Sequence, residues 1–218
     1  MEIYQSEDEQ VEALRRWWNE YGRSVLAGLA IALLLAFGWR AWVSYRAGQS
    51  EKASAEYEQM LSAVQAGALE KADKIGRHVV GEFEATPYAP LASLYLAKIA
   101  VQRNELPGAE AHLRWALDNA KMPGVKDTAR LRLAHVLLAE NKPKDALALL
   151  QGAKADAFEA AYAEAEGDVY VAMGERDKAL AAYQRALTGY VSQPTKQSLL
   201  KMKMDDLAGA AKADEAGK

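Results

Sequence analysis

The chain has 218 residues, a net charge of −3, three histidines and no cysteine, and half of its residues are hydrophobic. That composition excludes a wholly disordered chain, disulfides, thiolate catalysis and cysteine-based zinc sites. It also speaks against nucleic acid, whose phosphates need a basic face. Ala, Leu, Glu and Lys are abundant while Gly and Pro are sparse, which predicts an all-α protein.

Residues 1–23 carry six acids (Glu2, Glu7, Asp8, Glu9, Glu12, Glu20) against three bases (Arg15, Arg16, Arg23). Ser6-Glu7-Asp8-Glu9 has the S-x-x-E pattern of a capping box. Val11, Leu14, Trp18 and Tyr21 follow at spacings of three, four and three, predicting an amphipathic helix. Interfacial anchorage and a cytosolic docking motif both fit this segment.

From Ser24 to Trp39 the sequence reads SVLAGLAIALLLAFGW, without a charge. Arg40 interrupts and Ala41, Trp42 and Val43 continue. About 20 residues of helix cross a hydrocarbon core of ~30 Å, so 24–43 suffices if Arg40 snorkels to the headgroups. Trp17, Trp18 and Tyr21 on one side and Trp39, Trp42 and Tyr45 on the other form aromatic belts. A cleaved signal peptide would have a short basic leader and a small-residue cleavage site, neither of which is present. A buried soluble helix would rarely be apolar on every face over five turns. Arg15, Arg16 and Arg23 before the span balance Arg40, Arg46 and Lys52 after it, so charge does not orient it.

Ser24, Gly28, Ala32 and Ala36 recur every four residues and stack as a ridge of small side chains, with Arg40 in the same row. Such ridges let a second helix approach closely in lipid, although small residues are common in any membrane helix.

Beyond residue 44 the chain repeats itself. The clearest unit, 160–193, carries Gly167, Tyr170, Gly174, Ala179, Tyr183, Ala186 and Leu187, which match tetratricopeptide positions 8, 11, 15, 20, 24, 27 and 28. The same phase gives Ala134, Leu137, Asn141, Ala146, Leu150 and Ala153, then Ala97, Ala100, Asn104, Ala109, Leu113 and Ala116. It ends on a degenerate unit of Met60, Ala63, Gly67, Ala72, Gly76 and Val79. Loops are expected around Met122-Pro123-Gly124 and over Glu84–Pro90. A helix pair of this kind cannot bury its apolar face alone, so a stacked solenoid is expected, with a plain helical bundle as the alternative. Thr195–Leu207 is expected to cover the last repeat, and 208–218 to be frayed.

No catalytic constellation stands out. His78, His112 and His135 fall in three different units without metal-ligand spacing, and phosphate loops and nucleophile elbows are missing from the sequence. No metal, cofactor or catalytic residue is therefore assigned, and a non-enzymatic protein is expected. Residues 47–218 carry 22 Lys plus Arg against 24 Asp plus Glu, a mixed surface that suits protein partners.

Together these residues resemble the YfgM family. The resemblance rests on the opening Met1-Glu2-Ile3-Tyr4, the run Asp8–Trp18, Gly22, and Gly38-Trp39-Arg40. It continues through Ala92-Ser93-Leu94, Arg130-Leu131-Arg132-Leu133-Ala134 and Met202–Leu207, departing only in the tail beyond Leu207. The resemblance implies a single-pass protein of the bacterial inner membrane. Its parts would be a cytoplasmic segment 1–23, a membrane helix 24–43, periplasmic repeats 44–207 and a flexible tail 208–218. It also implies an ancillary subunit of the SecYEG translocon that partners the membrane-anchored periplasmic foldase PpiD and helps unfolded translocated proteins leave the channel. A role in stress signalling through a cytoplasmic response regulator is implied as well, which makes an envelope-signalling or assembly adaptor the alternative function. The partner-binding face is expected on the first helices of each pair, near 54–66, 91–103, 128–140 and 161–173, with Tyr57 and Tyr95 as candidate groove residues.

Overall fold

A computed structural model describes residues 3–153 and 157–216, with side chains placed from 9 to 209 outside that gap. Every regular element among them is helical. In chain order they are α1 (Ile3–Gln65), α2 (Leu69–Glu82), α3 (Tyr88–Gln102), α4 (Leu106–Asn119), α5 (Pro123–Ala139), α6 (Pro143–Gln151), α7 (Glu159–Ala172), α8 (Arg176–Gly189) and α9 (Pro194–Ala216). The chain divides into two compact units, Met1–Gln49 and Ser50–Lys218.

The first unit is the leading part of α1. Ser6 lies inside this helix, which already begins at Ile3. An N-cap residue needs non-helical backbone, so the expected capping box is not formed there. Gly22 lets the Trp18 indole lie flat on the helix, since a Cβ there would meet the ring at 3.2 Å. Trp39 and Trp42 pair with centroids 5.3 Å apart, and the Arg46 guanidinium sits 4.9 Å over Trp42.

The second unit is a stack of helix pairs. The end of α1 pairs with α2, α3 with α4, α5 with α6, and α7 with α8; α9 follows. Each pair is closed by the same turn. Gly67, Asn104, Asn141 and Gly174, all assigned to position 15 by phase, have φ of 71°, 60°, 59° and 73°. They are the only left-handed residues among those described. After each, the next backbone N–H donates to the carbonyl of position 11: Ala68 to Ala63, Glu105 to Ala100, Lys142 to Leu137 and Glu175 to Tyr170, at 2.8–2.9 Å. This bond and the left-handed residue form a Schellman-type stop, which satisfies carbonyls the helix leaves orphaned.

Position 20 carries Ala72, Ala109, Ala146 and Ala179, each wholly buried. A larger side chain there would hold the second helix away from the first. The gaps between helices are filled by Met60, Leu96 and Ile99 near the start, Leu113, Leu133 and Leu137 in the middle, and Tyr183 and Leu200 at the end. Truncating one of these leucines to Ala would cost about 2–5 kcal/mol.

The elements depart from expectation in three places. α3 begins at Tyr88, so Pro90 is helical rather than in the loop; in a first turn its missing N–H breaks no bond. α6 stops at Gln151, so Ala153 falls beyond the helix that its phase assigned it to. Gly152 ends that helix, and Ala153 still packs on the core, together with Phe158 just before α7. α9 continues as helix to Ala216, past the Leu207 where the terminal helix was expected to end.

Candidate functional site

α1 is long and apolar enough to cross a membrane. From Val25 to Tyr45 its large side chains, such as Leu29, Leu34, Phe37 and Trp39, are all exposed. Apolar side chains exposed around the whole helix are stable only in an apolar medium or against other helices. Ser24, Gly28, Ala32, Ala36 and Arg40 lie along α1 at four-residue intervals and are exposed. A Cβ added to Gly28 would meet nothing within 4 Å.

On the repeats, Tyr57 and Tyr95 come together across α1 and α3. Their rings meet edge-on at 6.1 Å, and Tyr88 stacks obliquely on Tyr57 at 5.8 Å. All three are half-buried and pack on the core of the first pair. Burial pushes the Tyr57 hydroxyl up to about 12, with Tyr95 adding to this and the Arg132 charge opposing it. Tyr57 and Tyr95 are thus as much packing residues as surface ones.

Beside them α3, α4 and α5 enclose an open groove of about 430 Å³. Its apolar wall includes Ala97, Val101, Leu113, Val136 and Ala139, and its polar edge is Lys98, Arg132 and His135. Lys98 and His135 occupy position 9 of consecutive first helices, so both face the same side of the stack. None of these three basic residues forms an ion pair with the described residues. Arg132 reaches only the Leu94 carbonyl, at 3.5 Å. These groove residues were not singled out from sequence, although projecting position 9 onto each repeat would have found Lys98 and His135.

The corresponding face of α7 is covered. Glu164 and Asp168 hold positions 5 and 9 there, and α9 supplies cations to both. Glu164 accepts from Tyr190 at 3.0 Å, Lys196 at 3.1 Å and Lys203 at 3.3 Å. Asp168 accepts from Tyr183 and Lys203, each at 2.7 Å. Burial by itself would raise the Glu164 carboxyl, but Lys196, Lys203 and Tyr190 outweigh it and hold it below the usual range. Burial, then the neighbouring carboxylates, push the Tyr183 and Tyr190 hydroxyls up. This arrangement is a structural latch between α7 and α9.

Two of the histidines, His78 and His112, are occupied with pairing or packing. His78 Nδ1 lies 2.6 Å from Glu56 Oε2, with its ring edge-on to Phe83. His112 is half-buried; burial lowers its pKa, and its backbone carbonyl accepts from the buried Ser93 hydroxyl at 2.8 Å. No group of three or more His, Asp or Glu side chains placed to hold a metal ion occurs among the described residues.

A family model described as a tetratricopeptide repeat-like domain matches residues 15–209. Similar proteins include the ancillary SecYEG translocon subunit of Aggregatibacter actinomycetemcomitans, 31% identical over 92% of this chain and 97% of that protein. The protein of the same name from Escherichia coli K12 is 31% identical over 95% of this chain and its own full length. That of Haemophilus influenzae is 29% identical over 92% and 97%. With an exposed apolar helix ahead of repeats that close on one recurring turn, and with relatives aligned end to end, the chain belongs to the family of ancillary SecYEG translocon subunits built on a tetratricopeptide repeat-like domain.

Proposed function

We propose that this chain is a non-enzymatic, membrane-anchored scaffold at the Sec translocon, which receives newly translocated proteins and passes them to a periplasmic foldase such as PpiD. In this reading residues 1–23 lie in the cytoplasm, 24–43 span the inner membrane, 44–207 are the periplasmic repeats, and 208–218 form a tail. The small-residue ridge Ser24, Gly28, Ala32, Ala36 and Arg40 meets a partner helix in the bilayer, and the face carrying Tyr57 and Tyr95 meets protein outside it.

The observation that carries the reading is the joining, on one chain, of an exposed apolar helix with a repeat array that carries an open apolar groove. The first feature holds the chain at a membrane; the second offers a surface for extended or helical segments. The names of the relatives supply the translocon as the place.

The test is recovery of the full-length chain from membranes in mild detergent. Translocon subunits and a membrane-anchored foldase should come with it, and recovery of neither would sink the reading. Because the chain has no cysteine, orientation can be read with single substitutions. Gln10→Cys should react with a membrane-impermeant maleimide only in lysed cells, and Ser50→Cys once the outer membrane alone is opened.

A further inference from the structure

The groove between α3 and α5 gathers three basic side chains around an apolar wall. Many cations elsewhere on the repeats are matched, although exposed lysines such as Lys71, Lys144 and Lys201 also lack an ion pair among the described residues. Arg77 and Arg103 meet Asp73, Arg114 and Lys142 meet Glu110, Arg130 meets Asp127, Arg185 meets Glu166, and the α9 lysines meet Glu164 and Asp168. Lys98, Arg132 and His135 have no such partner among the described residues, yet they sit together around one cavity. The wall beneath them is apolar, and Val101 at its edge is 45% exposed. Two permanent cations and an imidazole beside exposed apolar surface form a site lacking both its counter-charge and its cover. The comparison with α7 sharpens this, because there the residue at position 9, Asp168, meets an opposite charge brought by a following helix. At α3 and α5 no described residue supplies that counter-charge, and a bound molecule can.

We propose that this groove binds a protein segment in which apolar side chains are interspersed with carboxylates, the apolar groups entering the cavity and the carboxylates pairing with Lys98 and Arg132. The cavity volume falls within the roughly 300–1,000 Å³ of sites that enclose a compact ligand, which suits a few side chains rather than a folded domain. Several separate cations along an open groove match several carboxylates spaced along a peptide. A fatty acid brings only one carboxylate, and its tail needs a closed cavity to bury it. The proposal rests on the reading of the repeats as a protein-binding surface and names the chemistry of what they bind.

The experiment uses the full chain in phosphatidylcholine nanodiscs, with empty discs as the blank. Two fluorescein-labelled peptides of equal length, one alternating Leu and Asp and one alternating Leu and Lys, are titrated by anisotropy. The Leu–Asp peptide should bind about tenfold more tightly or better, and the preference should shrink with added salt. Lys98→Glu combined with Arg132→Glu should cost the Leu–Asp peptide about tenfold in affinity and improve the Leu–Lys peptide. Both side chains are exposed and free of ion pairs, so the fold should persist; an unchanged helical circular-dichroism melt checks this. Val101→Asp, at an exposed position, provides a second variant and should weaken the Leu–Asp peptide too. Equal binding of the two peptides overturns the proposal, as does affinity unmoved by the double variant, or saturable binding of laurate with neither peptide bound. Translocon recovery by the wild-type chain is scored separately. If that fails while the charge-dependent peptide binding holds, the translocon reading falls and the groove stands.

Discussion

A methyl group placed on Gly167 would stand 2.3 Å from Cε1 of Tyr183. The two residues hold positions 8 and 24 of the last repeat, and their contact sets how closely α8 lies on α7. Tyr183 is 2% exposed and its hydroxyl donates to Asp168 at 2.7 Å, so the ring cannot swing aside without giving up that bond. Gly167→Ala therefore sets overpacking, about 1–3 kcal/mol, against the gain of roughly 1 kcal/mol from replacing a helical glycine. Overpacking should win, with net destabilisation of about 1–2 kcal/mol in a urea melt. Gly81→Ala is the control, because a Cβ there meets nothing within 4 Å. It should stabilise by up to about 1 kcal/mol.

Asn104 and Asn141 stand where the first and last repeats have glycine, at φ of 60° and 59°. A left-handed conformation costs an ordinary L-residue about 1–2 kcal/mol, and asparagine less. Asn141→Ala should accordingly lower stability by about 1 kcal/mol and Asn141→Gly should be neutral or stabilising. Equal melting temperatures for the two variants would contradict the assigned turn.

These turns show why the repeat architecture was legible from the residues. A small set of positions must be Gly, Asn or Ala for steric reasons, and their phase survives when everything else varies. The same logic explains what was not legible. Lys98, His135 and Asp168 share one repeat position, but whether each is paired depends on what the neighbouring helix presents, which no single repeat encodes. Ala153 kept the phase while its helix stopped two residues earlier, because Gly152 ended α6 locally. The S-x-x-E pattern at Ser6 is a local signal overridden by a helix that starts upstream. Tyr57 and Tyr95 were named as groove residues and do meet each other, yet half of each ring belongs to the core.

Acid should loosen the α7–α9 latch. The folded-state pKa of Glu164 lies below its ordinary value. Its contribution is therefore fully present above the unfolded value, about 4.3 for Glu, and is lost as pH falls through the lower folded value. Glu164→Gln removes the charge that Lys196 and Lys203 approach. It should cost about 1–3 kcal/mol at neutral pH, the scale of a hydrogen-bonded charge. The difference from wild type should shrink below pH ~4, where the wild-type carboxyl also becomes neutral. Denaturant melts at neutral and acid pH read this directly; a gap that stays constant would show that Glu164 acts through shape rather than charge.

The ridge on α1 can be separated from simple anchorage. Gly28 has open space around it and Gly38 likewise, so leucine at either position leaves the helix itself unperturbed. Ten residues apart, the two point in different directions around a helix of 3.6 residues per turn. Both substitutions raise hydrophobicity and should leave membrane insertion intact. Only Gly28→Leu breaks the row of small side chains from Ser24 to Ala36 and keeps a second backbone at a distance. Co-purification of translocon subunits should therefore fall several-fold for Gly28→Leu and be unchanged for Gly38→Leu. Equal recovery for both would leave α1 as an anchor and move partner recognition entirely to the repeats.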